Sequence, residues 1–291
     1  MINEQQITTA QVKDLDPNAE QEGGGIPFPD QKRLGIIQTR GLGDILVALP
    51  IARHYYDQGW EVVWPVCSPF FSSLVHSVPW VRWLTVDADH EGLYFFDEPH
   101  TLLQQAECTG MLILYQSLSS HPHLSQKPFF QIQKFDEFKY TMAQVPFHKK
   151  WTLSRCIERQ ADREQELYDR VVKQPQYYVT HLKGSDYQAK PDLGHLPAEW
   201  QRIDIDENAT DSIFDWLKIL EGCQALIALD SVIANMVDQL DMDIDKYWIP
   251  RSHIHLTPVL GSVWTILPPP PDSMAASEIF RVATGQAAPD Q

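Results

Sequence analysis

Residues 34–56, LGIIQTRGLGDILVALPIARHYY, restrict the fold more than any other stretch of the chain. Leu34-Gly35-Ile36-Ile37-Gln38 is a short apolar run of the kind buried in a parallel sheet, and it breaks into Thr39-Arg40-Gly41-Leu42-Gly43-Asp44. Ile45, Leu46, Leu49, Ala52 and Tyr56 then recur at helical spacing. A strand, a glycine turn and a helix start, in that order, are how α/β proteins offer free backbone N–H groups to an anionic or nucleotide-bearing ligand.

The alternation continues along the chain. Strands are predicted at 60–66, 81–86 and 111–115, with helices at 45–56, 68–77 and 101–107 and a loop over the acidic stretch 87–99. Residues 116–130 read as irregular, 132–142 as a helix closed by Pro146, and 154–173 as a surface helix bridging two halves. The second half repeats the scheme with strands at 177–182, 203–205, 225–229, 246–249 and 264–267. Its helices fall at 212–221, with Asp211 as N-cap, at 232–240 and at 275–282. Strands and helices alternating at this pace imply βαβ units and mostly parallel sheets. The expected organisation is a loosely docked lead (1–31) poor in apolar residues, an N-terminal Rossmann-like domain (32–173) and a C-terminal one (174–291) with a tail after the Pro268–271 run.

Composition limits the partners. A net charge of −16 from 39 acidic and 23 basic residues opposes a long polyanion unless a basic groove survives locally. Small anions such as nucleotide diphosphates remain compatible, because a helix start and a few cations suffice to hold them. The four cysteines, Cys67, Cys108, Cys156 and Cys223, form no CxxC pair, and no stretch approaches the length of an apolar membrane span. Without a signal-like N-terminus, a cytoplasmic setting is expected. The pairs His121/His123 and His253/His255 lack the spacing of a zinc site, so no metal is expected. The tryptophans read mostly as core, with Trp248 and Trp264 as candidates for stacking on a sugar.

Three motifs carry chemistry. Arg40-Gly41-Leu42-Gly43-Asp44 lacks the Gly-Lys-Ser/Thr of a phosphate loop and the third glycine of a dinucleotide fingerprint, which disfavours an NAD enzyme. Asp44 is either a helix N-cap or a carboxylate free to accept a proton. Asp230-Ser231 opens the helix at 232, either as an ordinary cap or as an anion-binding helix start. Lys183-Gly184-Ser185 follows the first strand of the second half, where a cation, an amide and a hydroxyl suit a phosphate; Lys190 is an alternative cation.

Gly43-Asp44, Leu49-Pro50 inside a helix and Gly59 before the second strand together resemble the N-terminal signature of GT-B glycosyltransferases similar to the ADP-heptose heptosyltransferases. The likeness covers about 34–66 and 177–240, and leaves 87–173 unassigned. It implies two Rossmann-like domains facing across a cleft, and an inverting, metal-independent transfer of a sugar from a nucleotide-sugar co-substrate with no cofactor. By the same resemblance Asp44 is the base, Arg40, Gly41 and Gly43 form the acceptor-side turn, and Lys183, Gly184, Ser185, Asp230 and Ser231 hold the donor diphosphate. Where that family has Gly and His after its Asp-Ser/Thr, this chain has Val232-Ile233-Ala234-Asn235. The expected acceptor is a glycan or lipid-linked glycan. Two alternatives stand beside it. One is a hydroxymethylated DNA base, drawing on Lys127, Lys134, Lys139, Lys149, Lys150 and Arg155; the other is a non-catalytic sugar-nucleotide binding protein.

Overall fold

The structure is a computed structural model that describes residues 32–88, 93–116, 118, 133–184, 188–250 and 257–267. The expectations for the lead at 1–31, Lys127, Ser185, the paired histidines and the helix at 275–282 lie outside the described residues. Within them the protein is α/β and contains two parallel sheets. The first has strands β1 (Arg33–Ile37), β2 (Glu61–Cys67), β3 (Arg82–Val86) and β4 (Gly110–Ile113) in the order β3-β2-β1-β4. The second has β5 (Tyr177–His181), β6 (Gln201–Asp204), β7 (Ala225–Leu229), β8 (Asp245–Ile249) and β9 (Thr265–Ile266) in the order β6-β5-β7-β8-β9. Every registered pair is parallel. That accounts for the unbroken apolar runs, since a strand covered on both faces has no polar side to alternate with.

Helices α1 (Leu42–Tyr56), α2 (Ser68–Val75), α3 (Asp97–Gln105), α4 (Phe135–Met142), α5 (Ala161–Val171), α6 (Leu217–Gly222) and α7 (Val232–Gln239) complete the described elements, with 3-10 turns at Leu93–Phe95, Phe147–Arg155 and Ile213–Trp216. Helix α1 runs through Pro50 and buries Ile45 to Ala52 without interruption. One apolar cluster joins β1 and α1 to Ile233, Met236 and Val237 of α7 and on to Leu226 and Ala228 of β7. At roughly 1.5–3 kcal/mol for each large apolar side chain buried, this shared core sets the spacing of the two sheets.

A buried ionic knot lies beside that core. Lys150 Nζ is 2.8 Å from Asp136 Oδ2 on α4 and 3.8 Å from Asp238 Oδ2 on α7, and it also donates to the Val259 carbonyl. Asp136 accepts from Val259 N at 2.8 Å, and Asp238 accepts from Gly261 N, Trp151 Nε1 and Trp264 Nε1. Each buried charge therefore has an opposite partner and additional hydrogen bonds, the condition under which buried ions are tolerated.

Several local expectations are corrected. The stretch 87–99 holds a 3-10 turn and the start of α3, because Pro99 sits in the first helical turn, where its missing N–H costs nothing. Residues 154–160 belong to a 3-10 turn and an extended link, so α5 begins only at Ala161. Ser212, not Asp211, caps the turn before α6, its hydroxyl accepting from Phe214 N at 3.3 Å. Trp248 and Trp264 are buried, which removes them as sugar platforms. Among the described residues no helix is long and apolar enough to cross a membrane.

Candidate functional site

In open parallel sheets ligands gather beyond the carboxyl ends of the strands, where the strand order reverses. The reversal falls between β1 and β4 in the first sheet and between β5 and β7 in the second. The first is followed by the Arg40–Asp44 turn and the second by Asp230-Ser231.

The first turn is bolted from behind. Tyr115, just past β4, accepts from the backbone N–H groups of Thr39 and Arg40, both at 3.0 Å. Thr39 Oγ1 donates to the Tyr94 carbonyl at 2.6 Å, so the Tyr115 hydroxyl donates its own proton to Thr39 Oγ1 at 3.0 Å. Burial holds the Tyr115 phenol above its ordinary pKa, keeping that proton in place. Arg40 is exposed and aimed by Tyr94, whose hydroxyl accepts from Nη1 at 2.6 Å and whose ring lies 5.3 Å from the guanidinium carbon.

Gly41, not Asp44, is the N-cap of α1. Its φ of +82° is natural for glycine, and a β-carbon there would meet Asp44 Oδ2 at 2.6 Å. Asp44 therefore stands one turn inside the helix, with its side chain 40 % exposed and Oδ1 held 3.1 Å from Lys139 Nζ. Lys139 is buried, and its other two protons go to Gln38 Oε1 at 2.6 Å and the Leu114 carbonyl at 3.0 Å. Gln38 Nε2 in turn donates to the Arg40 carbonyl at 2.8 Å, which ties the lysine back to the turn.

At the second reversal Ser231 occupies the N-cap position of α7, yet its hydroxyl makes no capping bond. It pairs instead with Nδ1 of buried His181 at 2.8 Å. His181 Nε2 lies 3.5 Å from Glu207 Oε1. Hydrogen bonding from His181, with smaller help from the charge of Lys183, lowers the Glu207 carboxyl below its ordinary pKa. The Ser231 hydroxyl thus does not cap the positive end of α7.

The two turns meet. A β-carbon on Gly43 would lie 3.4 Å from Val232 Cα, 3.5 Å from Val232 N and 3.6 Å from Asn235 Nδ2. Of the residues marked by sequence, Arg40, Gly41, Gly43, Asp44 and Ser231 are therefore gathered at one junction. Asp230 is buried at the end of β7 beside it. Lys183 is exposed, bridged to Gln188, and lines a pocket of about 370 Å³ beyond β5 and β6 with Lys190, Arg202 and Asp204. Gly184 follows it in the same loop. The sequence gives no role to Tyr94, Tyr115 or Glu207, offers Lys139 only to a basic groove, and carries His181 in the Thr180–Ser185 stretch without a role of its own; only the fold brings them to the turns.

No family model matches the sequence, and no curated protein matches it. Solved structures do resemble the fold. A glycosyl transferase family 9 protein from Veillonella parvula DSM 2008 superposes with a TM-score of 0.55 at 10% identity, over 91% of this chain and 94% of that one. The iron-containing dodecameric glycosyltransferase TibC from enterotoxigenic E. coli H10407 gives 0.48 at 12% identity, over 81% of this chain and 63% of that one. The E. coli heptosyltransferase WaaC with ADP-2-deoxy-2-fluoro heptose gives 0.46 at 13% identity, over 87% and 99%. The chain has the fold of a family 9 glycosyl transferase.

Proposed function

We propose that the protein transfers a sugar from a nucleotide-diphosphate-sugar to an acceptor hydroxyl. The observation that carries this reading is the close approach of Gly43 to Val232, where a β-carbon would lie 3.4 Å from Val232 Cα; it brings the turn with the half-exposed Asp44 carboxylate beside a helix start that Ser231 does not cap with its hydroxyl. Residues 32–173 supply the acceptor side and residues 174–291 the donor side, with the substrates entering between them. The α7 amides, the Ser231 hydroxyl and Lys183 hold the diphosphate, whose negative charge grows as it departs. Asp44 takes the acceptor proton while the hydroxyl oxygen bonds to the anomeric carbon. On the opposite side the anomeric C–O bond breaks, and its electron pair leaves on the nucleoside diphosphate. Attack on the face opposite the departing diphosphate inverts the anomeric centre, and the transfer proceeds with neither a metal nor a cofactor. The reaction belongs in the cytoplasm, where four free cysteines are stable.

A glycan or lipid-linked glycan suits the acceptor side better than a DNA base does. Lys134, Lys139 and Lys150 are engaged internally with Thr257 and Pro258, with Asp44 and with Asp136, which withdraws them from a basic groove. The test is a panel of nucleotide-sugars and glycan acceptors with Asp44→Ala as control. Transfer that falls by about 10²–10⁴-fold in the variant is expected for loss of a general base. Full activity in Asp44→Ala rejects the mechanism, and donor binding without turnover favours a binding protein.

A further inference from the structure

The junction contains an electrostatic conflict. The proposed base is an anion, and it stands beside the helix start proposed to receive a second, larger anion, the donor diphosphate. Two like charges in one partly desolvated site oppose each other strongly. Lys139 is the cation paired with that base. Its ammonium is 3.1 Å from Asp44 Oδ1 and is buried on α4, with its remaining protons fixed by Gln38 and Leu114. A lysine is seldom buried unless it is paired, and this one is paired to the one carboxylate the reaction needs free. Its direction of approach engages Oδ1, while Oδ2 faces the Gly41 turn.

We infer that Lys139 is a charge-compensating positioning residue: it neutralises Asp44 so that the base and the donor diphosphate occupy one site together. This rests on the donor reading of the α7 start. A purely structural lysine and a compensating one behave differently when Asp44 also loses its charge, because the neutral pair then needs no compensation.

The experiment measures binding of ADP and of inorganic pyrophosphate by calorimetry to the full chain. ADP lacks the sugar, so contacts of Asp44 with the transferred group do not enter. Lys139→Gln keeps N–H donors for Gln38 and Leu114, and binding is expected to weaken about threefold to tenfold from one unscreened charge at this range. Asp44→Asn is expected to bind about as tightly as the native protein or up to roughly threefold tighter. The double variant Lys139→Gln/Asp44→Asn is expected to return to within about twofold of native. A double variant as weak as Lys139→Gln, or Lys139→Gln equal to native, overturns the inference while leaving the donor reading intact. Should Lys139→Gln fail to fold, Asp44→Asn carries the test alone, and binding clearly weaker than native overturns the inference. Native protein that binds neither probe, or binds both unchanged in Ser231→Ala, overturns the donor reading and the inference with it.

Discussion

Gly43 of α1 faces Val232 of α7 so closely that a β-carbon at position 43 would lie 3.4 Å from Val232 Cα, in van der Waals contact, and the first turns of two helices from different sheets lie side by side. A single methyl fits this contact, whereas a branched side chain does not. Gly43→Ala is expected to fold with unchanged or slightly higher stability, since alanine favours a helix by about 1 kcal/mol over glycine. Gly43→Leu is expected to drive the turns apart and lower sugar transfer at least about tenfold, because small displacements of a reacting group are costly. Melting curves and transfer rates on the two variants check the contrast.

Gly41 makes a different demand. Its φ of +82° strains any other residue, and a β-carbon there would come within 2.6 Å of Asp44 Oδ2 and push that carboxylate aside. Gly41→Ala is expected to cost about 1–3 kcal/mol, the usual range for a strained backbone position. It is also expected to lower transfer further than the stability loss explains, because the displaced group is the proposed base. Urea unfolding beside kinetics separates the two effects.

The ionic knot behind the site has a larger predicted effect. Asp136→Ala leaves the buried Lys150 ammonium without its 2.8 Å partner and the Val259 amide without its acceptor. A loss of about 3–5 kcal/mol follows from breaking such a pair on one side only, measurable as a lower denaturant midpoint. An unchanged midpoint contradicts the assignment of the knot as a structural tie.

Burial pushes the Cys108 thiol up to about 11 and the Cys156 and Cys223 thiols up to about 12, from an ordinary 9.0. The folded protein then binds more protons than the unfolded chain above pH 9.0, so stability is full below that pH and falls as pH rises toward about 12. Alanine at Cys156 and Cys223 is expected to flatten that alkaline decline, as followed by melting temperature between pH 8 and pH 11. The same three thiols are expected to resist iodoacetamide at neutral pH in the native state, since the thiolate is the reactive form.

How much of this was legible in the sequence depends on the range of each interaction. The ALIALD run reads as a buried strand because five consecutive apolar residues have no other use, and β7 spans Ala225–Leu229 as expected. The Gly41–Asp44 turn was visible for the same local reason. The precise cap was not, because whether Gly41 or Asp44 starts the helix depends on a backbone angle the letters do not carry. Lys139 is legible in the sequence only as a cation on a helix, open to a basic groove; its burial comes from α4 packing on α1, with Gln38 and Leu114 just past β1 and β4 accepting from its ammonium. The pairing of Ser231 with His181, fifty positions apart, needs the β5–β7 register before either residue has a partner. Helix α5 is shorter than the 154–173 expected from sequence because 154–160 carries charged residues that tolerate a helix, while Arg159 is spread between Glu164 and Glu221.

In the proposed mechanism the Asp44 turn and the α7 start form one site for a nucleotide-sugar. A crystal structure of the protein soaked with a nucleoside diphosphate tests it most directly. The terminal phosphate is expected within hydrogen-bonding reach of the Val232 and Ile233 amides and the Ser231 hydroxyl, and on the side facing Asp44. A diphosphate seated instead against Lys190 and Arg202, with the α7 start left in water, contradicts it.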